Sequence, residues 1–207
     1  PARQRETINY EAIYRWHPLF AGSDFPVWSE GTQAGPATVE GGDVQIIGNG
    51  AVLVGVSERT TSQGIERLAS RLFAGGKVNQ IVAVEMNRTR AQMHLDTVMT
   101  MVDVGTFTIY GGLGKLPTLT LRPDGDKQIS VTRNAPEDMY RVIAQALGVD
   151  ELNVLITPQD SMAAAREQWD DGSNSLAIAP GVIVTYERNV NTNEYLTSHG
   201  IEVLTIP

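Results

Sequence analysis

Val44-Gln45-Ile46-Ile47-Gly48-Asn49-Gly50-Ala51-Val52-Leu53-Val54-Gly55-Val56 is the stretch that decides the fold. Two apolar runs, 44–47 and 51–56, flank Gly48-Asn49-Gly50, the composition of a hairpin closed by a tight turn. Downstream, Thr60, Thr61 and Ser62 offer helix N-caps. Ile65, Leu68, Ala69, Leu72 and Phe73 then recur at i, i+3, i+4, i+7 and i+8, which predicts a helix with one apolar face. Gly75-Gly76 ends that helix, and 81–84 reads as a third strand. Strand, strand, helix, strand is the unit from which the rest of the chain is read.

The same order recurs. Residues 97–102 and 106–110 read as strands about Val104-Gly105. After an irregular stretch, Asn134 is expected to cap a helix with Pro136 early in it and Glu137 three residues on. Met139, Val142, Ile143 and Leu147 form its apolar face, Gly148 stops it, and 152–156 is the closing strand. A shorter third copy runs through 175–179, Pro180-Gly181, 182–186, a helix around 192–199, Gly200 and 201–206, with an alanine-rich helix at 161–169 before it. At the other end, Ile8, Ala12, Ile13 and Trp16 place a helix at 7–17 that stops before Pro18, followed by a long ordered loop at 20–37. The sequence predicts one α/β domain built of about three ββαβ repeats: an N-terminal helix and loop (1–42), repeat one (43–86), repeat two (94–158) and repeat three (174–207). Such units cannot bury their faces alone and must stack or close a ring.

Composition narrows the function. The chain has 207 residues, 42% hydrophobic and 19% charged, with 20 Gly and 10 Pro, which reads as an ordered, turn-rich globular protein. A net charge of −8 leaves no diffuse basic surface for nucleic acid or anionic lipid. Cysteine is absent, which removes disulfides, zinc-thiolate sites and thiol nucleophiles from these residues. No apolar run approaches the roughly 20 residues of a membrane span, and Pro1-Ala2-Arg3-Gln4-Arg5 has no apolar stretch after its charges, so a soluble, intracellular protein is expected. An opening on Pro1 and an ending on Ile206-Pro207, straight after a strand-like run, lead us to expect a piece of a longer chain.

The richest chemical signal is Glu40-Gly41-Gly42-Asp43 just before the first strand, with His94-Leu95-Asp96 at the equivalent place in the second repeat. If the repeats bring these strand starts together, Glu40, Asp43, His94 and Asp96 form an anionic pocket with one imidazole. Clustered carboxylates repel one another unless a cation fills the site, and a guanidinium, with five donors in a plane, fits several acceptors around it. His94 beside Asp96 is suited to passing a proton. Each motif also has an ordinary reading, as a turn and as a strand-end pair. A metal is the competing occupant: one histidine disfavours zinc or iron, while Mg²⁺ or Ca²⁺ stays open. Arg59, in Ser57-Glu58-Arg59-Thr60-Thr61, lies between strand and helix. It could hold a carboxylate there or make a surface salt bridge with Glu58 or Glu66. His17 and His199 read as cap residues, Met93, Met99 and Met101 as core packing, and Tyr186-Glu187-Arg188-Asn189 echoes the Arg59 junction.

Together, Pro1-Ala2-Arg3-Gln4-Arg5-Glu6-Thr7, Glu40-Gly41-Gly42-Asp43, Ser57-Glu58-Arg59-Thr60-Thr61 and Met93-His94-Leu95-Asp96-Thr97 resemble the arginine deiminase family along nearly the whole chain. The resemblance implies a five-bladed α/β propeller of ββαβ units, of which the repeats here would be the middle and later part. It also implies hydrolysis of L-arginine to L-citrulline and ammonia, without a cofactor or metal, through a cysteine-linked intermediate. Carried over by motif, His94 would be the acid/base, Glu40 and Asp96 would grip the guanidinium, Asp43 would support them near the substrate, and Arg59, with Arg3, would bind around the substrate's α-carboxylate. The implied setting is cytoplasmic, with L-arginine as the partner, no nucleic acid or membrane, and room for a homo-oligomer. The family's nucleophilic cysteine, expected in a Gly/Arg-rich stretch beyond a strand like 201–207, has no counterpart here. Neither do the aspartate of its Phe-Thr-Arg-Asp motif and its helical insertion. These residues alone are therefore expected to be inactive. The other two readings are a non-catalytic arginine-binding or assembly subunit and a metal-dependent hydrolase using the same acids.

Overall fold

Gly48, Asn49 and Gly50 have φ of 103°, 50° and 68°, a left-handed run that suits glycine and asparagine and turns the chain sharply. β1 (Val44–Gly48) therefore folds back antiparallel on β2 (Ala51–Val56), with Val44 opposite Val54. Thr61 caps α2 (Ser62–Ala74), its hydroxyl accepting from Gly64 N–H at 3.1 Å. The helix returns the chain to β3 (Gln80–Glu85), parallel to β2.

The computed structural model describes residues 4–28, 35–125 and 128–207. Beyond β3 the chain forms β4 (Met99–Asp103), β5 (Thr106–Ile109), β6 (Thr118–Asp124), β7 (Gln128–Asn134), α3 (Met139–Leu147) and β8 (Asn153–Leu155). It continues through α4 (Ser161–Trp169), β9 (Leu176–Ala179), β10 (Val182–Tyr186), α5 (Val190–Ser198) and β11 (Glu202–Ile206), while α1 (Gln4–Trp16) lies at the start. Among the described residues the strands form three sheets, ordered β1-β2-β3-β6-β7, β4-β5-β8 and β11-β10-β9. The result is a mixed α/β fold.

β2 and β3 are buried on both faces, as parallel strands under two layers should be. Val52, Val54, Ile81 and Ala83 pack toward Ile65 and Ala69 of α2. Leu53, Val82 and Val84 face the opposite way, against Met99, Phe107 and Ile109 of the second sheet and Met139, Val142 and Ile143 of α3. Each Val, Leu, Ile, Phe or Met among them contributes about 1.5–3 kcal/mol by burial. A third cluster of Val102, Leu155, Ile183, Leu196 and Ile201 joins the last sheet to the second. Ile8, Ile13 and Trp16 of α1, read as an apolar stripe, are exposed instead, and Tyr14 packs edge-on against Phe20 and Phe25 of the following loop.

The stretch before α3 departs from expectation. It contains the antiparallel hairpin β6–β7, which adds to β3 and widens the first sheet to five strands. Asn134 caps no helix; it ends β7, and its Nδ2 donates to Thr118 O at 3.3 Å, Thr118 Oγ1 at 3.2 Å and Thr120 Oγ1 at 3.1 Å. A short turn, Pro136–Asp138, leads into α3 instead.

Candidate active site

Asp43 closes the turn Gly41–Asp43 at the foot of β1 and is fully buried. A carboxylate in that position needs donors, and it has three. The hydroxyls of Ser57 and Thr60 donate to Oδ2 at 2.6 and 2.5 Å, and the Leu95 N–H donates to Oδ1 at 2.9 Å. Burial pushes the carboxyl above its ordinary 3.8, and these hydrogen bonds pull it back. Gly55 in β2 leaves the necessary room: a Cβ there would run into Asp43 Oδ1 and sit 2.8 Å from Met86 Sδ. Asp43 thus fastens the end of β2 to the segment ahead of β4.

That segment carries His94 and Asp96 on either side of Leu95. His94 Nδ1 makes a short hydrogen bond to Asp96 Oδ1. Asp96 is the main reason the imidazole is held more basic than the ordinary 6.5; burial opposes it, and the charges of Asp43 and Glu40 add to it. The pair rests on the backbone of Gly42, where a Cβ would lie 2.5 Å from His94 Nδ1 and 2.7 Å from Asp96 Oδ2. Any side chain there would push the pair away, so glycine lets the Glu-Gly-Gly-Asp turn and the His-Leu-Asp turn sit directly against each other.

Glu40 hangs from the same framework, its N–H donating to Thr60 Oγ1 at 2.9 Å. Its carboxylate pairs with Arg59 Nη1 at 3.5 Å, the two side chains being 25% and 28% exposed. An incoming cation or carboxylate therefore has access to both. Arg59 pairs with Glu40 rather than with Glu58 or Glu66. Its Nη2 lies 2.9 Å from Met93 Sδ, so Met93 lines the site, while Met99 is buried in the core. Four of the sequence-derived residues, Glu40, Asp43, His94 and Asp96, come together with Arg59 at their edge; Arg3 lies outside the described residues. Among the described residues no three His, Asp or Glu side chains are gathered as ligands of one metal ion.

Two groups are added by the structure. Asp171, after α4, has a left-handed backbone (φ 59°). Burial and the charge of Asp96 push its carboxyl up, while His94 and Arg188 pull it down, so it feels the charges of the pair. Gln168, in the last turn of α4, is buried and donates to Ala91 O and Thr97 O, both at 2.8 Å. The sequence signal for Asp171 is two acids followed by Gly172 at a helix end; Gln168 has none.

Carboxylates gathered around an imidazole held more basic than usual suit a cation. The sequence model of the arginine deiminase family matches residues 1–207. The chain belongs to the arginine deiminase family. Solved structures agree on the fold. DDAH from Pseudomonas aeruginosa, complexed with citrulline, is 17% identical with a TM-score of 0.57, over 99% of this chain and 59% of that one. An inosamine-phosphate amidinotransferase from Streptomyces griseus is 16% identical with a TM-score of 0.59, over 98% and 55%. An amidinotransferase of saxitoxin biosynthesis from Microseira wollei is 14% identical with a TM-score of 0.62, over 98% and 57%. This member of the deiminase family thus spans less than two thirds of the length of these relatives in fold. No helix among its described residues is long and apolar enough to cross a membrane.

Proposed function

We propose that this chain is the guanidinium-binding and proton-transferring part of an arginine deiminase, which hydrolyses L-arginine to L-citrulline and ammonia without a cofactor. The observation that carries the reading is the seating of the His94–Asp96 pair on Gly42, within reach of the Glu40 charge. Glu40 and Asp96 take the guanidinium nitrogens from two sides. Substrate displaces Arg59 from Glu40, and the freed Arg59 turns to the substrate's α-carboxylate, joined by Arg3. Asp43 acts one step back, holding Leu95 and through it both neighbours.

In this reading a cysteine thiolate attacks the guanidinium carbon. The bond to a terminal nitrogen breaks, and that nitrogen leaves as ammonia carrying a proton from His94. Water then adds to the same carbon and returns one proton to His94, and as the C–S bond breaks to give citrulline and the thiolate, the remaining hydroxyl proton passes to solvent, where it is taken up by the released ammonia as ammonium. A histidine held above its ordinary basicity favours the charged form that the first step needs. The 207 residues contain no cysteine, and we assign the thiol to the rest of a longer protein. The proposal includes a ring of five ββαβ blades, of which three are here, and a cytoplasmic setting, where a thiol stays reduced.

Calorimetry of L-arginine with this chain tests the binding half: affinity is expected, and Glu40→Gln should lower it by about 10–100-fold, the worth of one charge-assisted hydrogen bond. Equal affinity in the variant refutes the assignment. Release of citrulline by the thiol-bearing protein tests the other half. Because cysteine is absent here, the second reading is an arginine-binding subunit without turnover, which predicts the same affinity and no citrulline from the whole protein.

A further inference from the structure

The residues that touch His94 directly belong to the first two strand–helix units, yet the loop that carries it is closed from elsewhere. Gln168 reaches out of α4 with its side-chain nitrogen between two carbonyls, Ala91 O and Thr97 O. Those carbonyls bracket His94 evenly in sequence, three residues to each side. Both amide hydrogens are used, and the side chain is buried. Within the bracket Thr97 Oγ1 donates to His94 O at 2.6 Å, and just past it Val98 N–H donates back to Leu95 O at 3.0 Å, which ties the loop to itself.

The strut itself is anchored at its other side. Glu167, next to Gln168 and also buried, accepts from Asn191 N–H and Nδ2 at 2.9 Å each, Thr192 N–H at 3.1 Å, Thr192 Oγ1 at 2.5 Å and Gln159 Nε2 at 2.8 Å. Its carboxylate sits on the first turn of α5, where the helix dipole favours a negative charge. Beyond the strut, Asn189 Nδ2 donates to Asp170 O at 3.0 Å and Thr100 Oγ1 to Ser173 O at 2.8 Å. The segment cannot slide without breaking buried hydrogen bonds on both sides.

We propose that Gln168 is the positioning residue of the His94–Asp96 pair: it clamps the loop that carries them against Gly42, and Glu167 beside it transmits the hold from the last unit of the fold. The inference rests on the deiminase reading, because it supplies the fixed geometry that proton transfer to a bound guanidinium requires. Its consequence is that the last ββαβ unit bears on the chemistry although none of its side chains is assigned a contact with substrate.

The test uses Gln168→Met, which keeps an unbranched side chain of similar length and removes both donors. The chain has three histidines, so the His94 ring resonances are assigned by their loss in His94→Asn and titrated by NMR. In Gln168→Met the His94 titration should fall toward that of an unpaired imidazole. Affinity for L-arginine should drop by up to about tenfold, from the ordering of freed side chains. Ile183→Val, which trims the buried core of β10, supplies a matched loss of stability that leaves the His94 titration unchanged. If Gln168→Met loses stability but His94 titrates as before, the positioning role is overturned. Should Gln168→Met not fold, Gln168→Asn, one methylene too short to span both carbonyls, carries the same comparison. A parent chain that binds no arginine yet shows the titration shift refutes the deiminase reading and upholds the clamp.

Discussion

Adding a single methyl group at Gly42 probes the site at its tightest point. The new Cβ would lie 2.5 Å from His94 Nδ1 and 2.7 and 2.9 Å from the two Asp96 oxygens, where ordinary contact begins near 3.4 Å. Something must retreat by about 0.9 Å, and the imidazole is the nearest atom group to be pushed. Overpacking of this kind costs about 1–3 kcal/mol of stability. A displacement close to 1 Å at a reacting group costs about 100-fold in turnover. Gly42→Ala should therefore still fold, with a lower urea midpoint. The His94 titration should move down as the bond to Asp96 opens, and the thiol-bearing protein should release citrulline about 100-fold more slowly. The assays are urea denaturation, histidine NMR and citrulline release on one variant. An alanine variant with the parent's His94 titration and the parent's rate refutes the close packing on which the site is built.

Arg59→Ala removes the partner of Glu40 and the proposed clamp on the α-carboxylate together. L-arginine should lose about 10–100-fold in affinity while its decarboxylated analogue agmatine loses little; calorimetry with both ligands decides it, and equal losses count against the clamp. The His94–Asp96 pair also sets a pH dependence. His94 has a folded value above its ordinary 6.5, so the stabilisation it brings is complete below pH 6.5 and is lost as pH rises through the folded value. Asp96→Asn removes the chief cause, so the gap in urea midpoint between parent and variant should shrink as pH climbs past 6.5; a gap that does not change with pH contradicts the pairing. Glu167→Ala leaves the donors of Gln159, Asn191 and the buried Thr192 without their acceptor, and should destabilise the chain by about 2 kcal/mol. A loss below about 1 kcal/mol by urea unfolding would show that α4 is held by something else.

β1, β2 and α2 are legible in the sequence because turn chemistry, strand patterning and helix spacing agree there, with Gly48-Asn49-Gly50 supplying the positive φ that only a few residue types accept. The β6–β7 hairpin is not, since β7 is exposed along nearly all of its length. A strand that buries little beyond Ile129 has little reason to alternate apolar and polar residues, so 128–134 reads as irregular. Asn134 looks like a helix cap for the same reason that it works as a strand-end bracket: a short amide serves whichever backbone or hydroxyl groups lie near. The apolar spacing of α1 describes a face, but spacing cannot say whether these residues cover it.

The site divides in the same way between what residue types announce and what only three dimensions decide. Glu40, Asp43, His94 and Asp96 stand at matching places before two first strands, and the matching is visible in the sequence. Which acid faces the solvent and which becomes the buried bracket is not, because that is settled by Gly55, whose missing Cβ lets the Asp43 carboxylate sit over β2. Gln168 is the extreme case. Its partners are the carbonyls of Ala91 and Thr97, and every residue has a carbonyl, so nothing in the composition of either segment marks the contact. A side chain that fixes a site through backbone acceptors leaves its signature only in the distance between two elements. For this chain that distance ties the histidine ahead of β4 to α4, a helix held in turn by the first turn of α5.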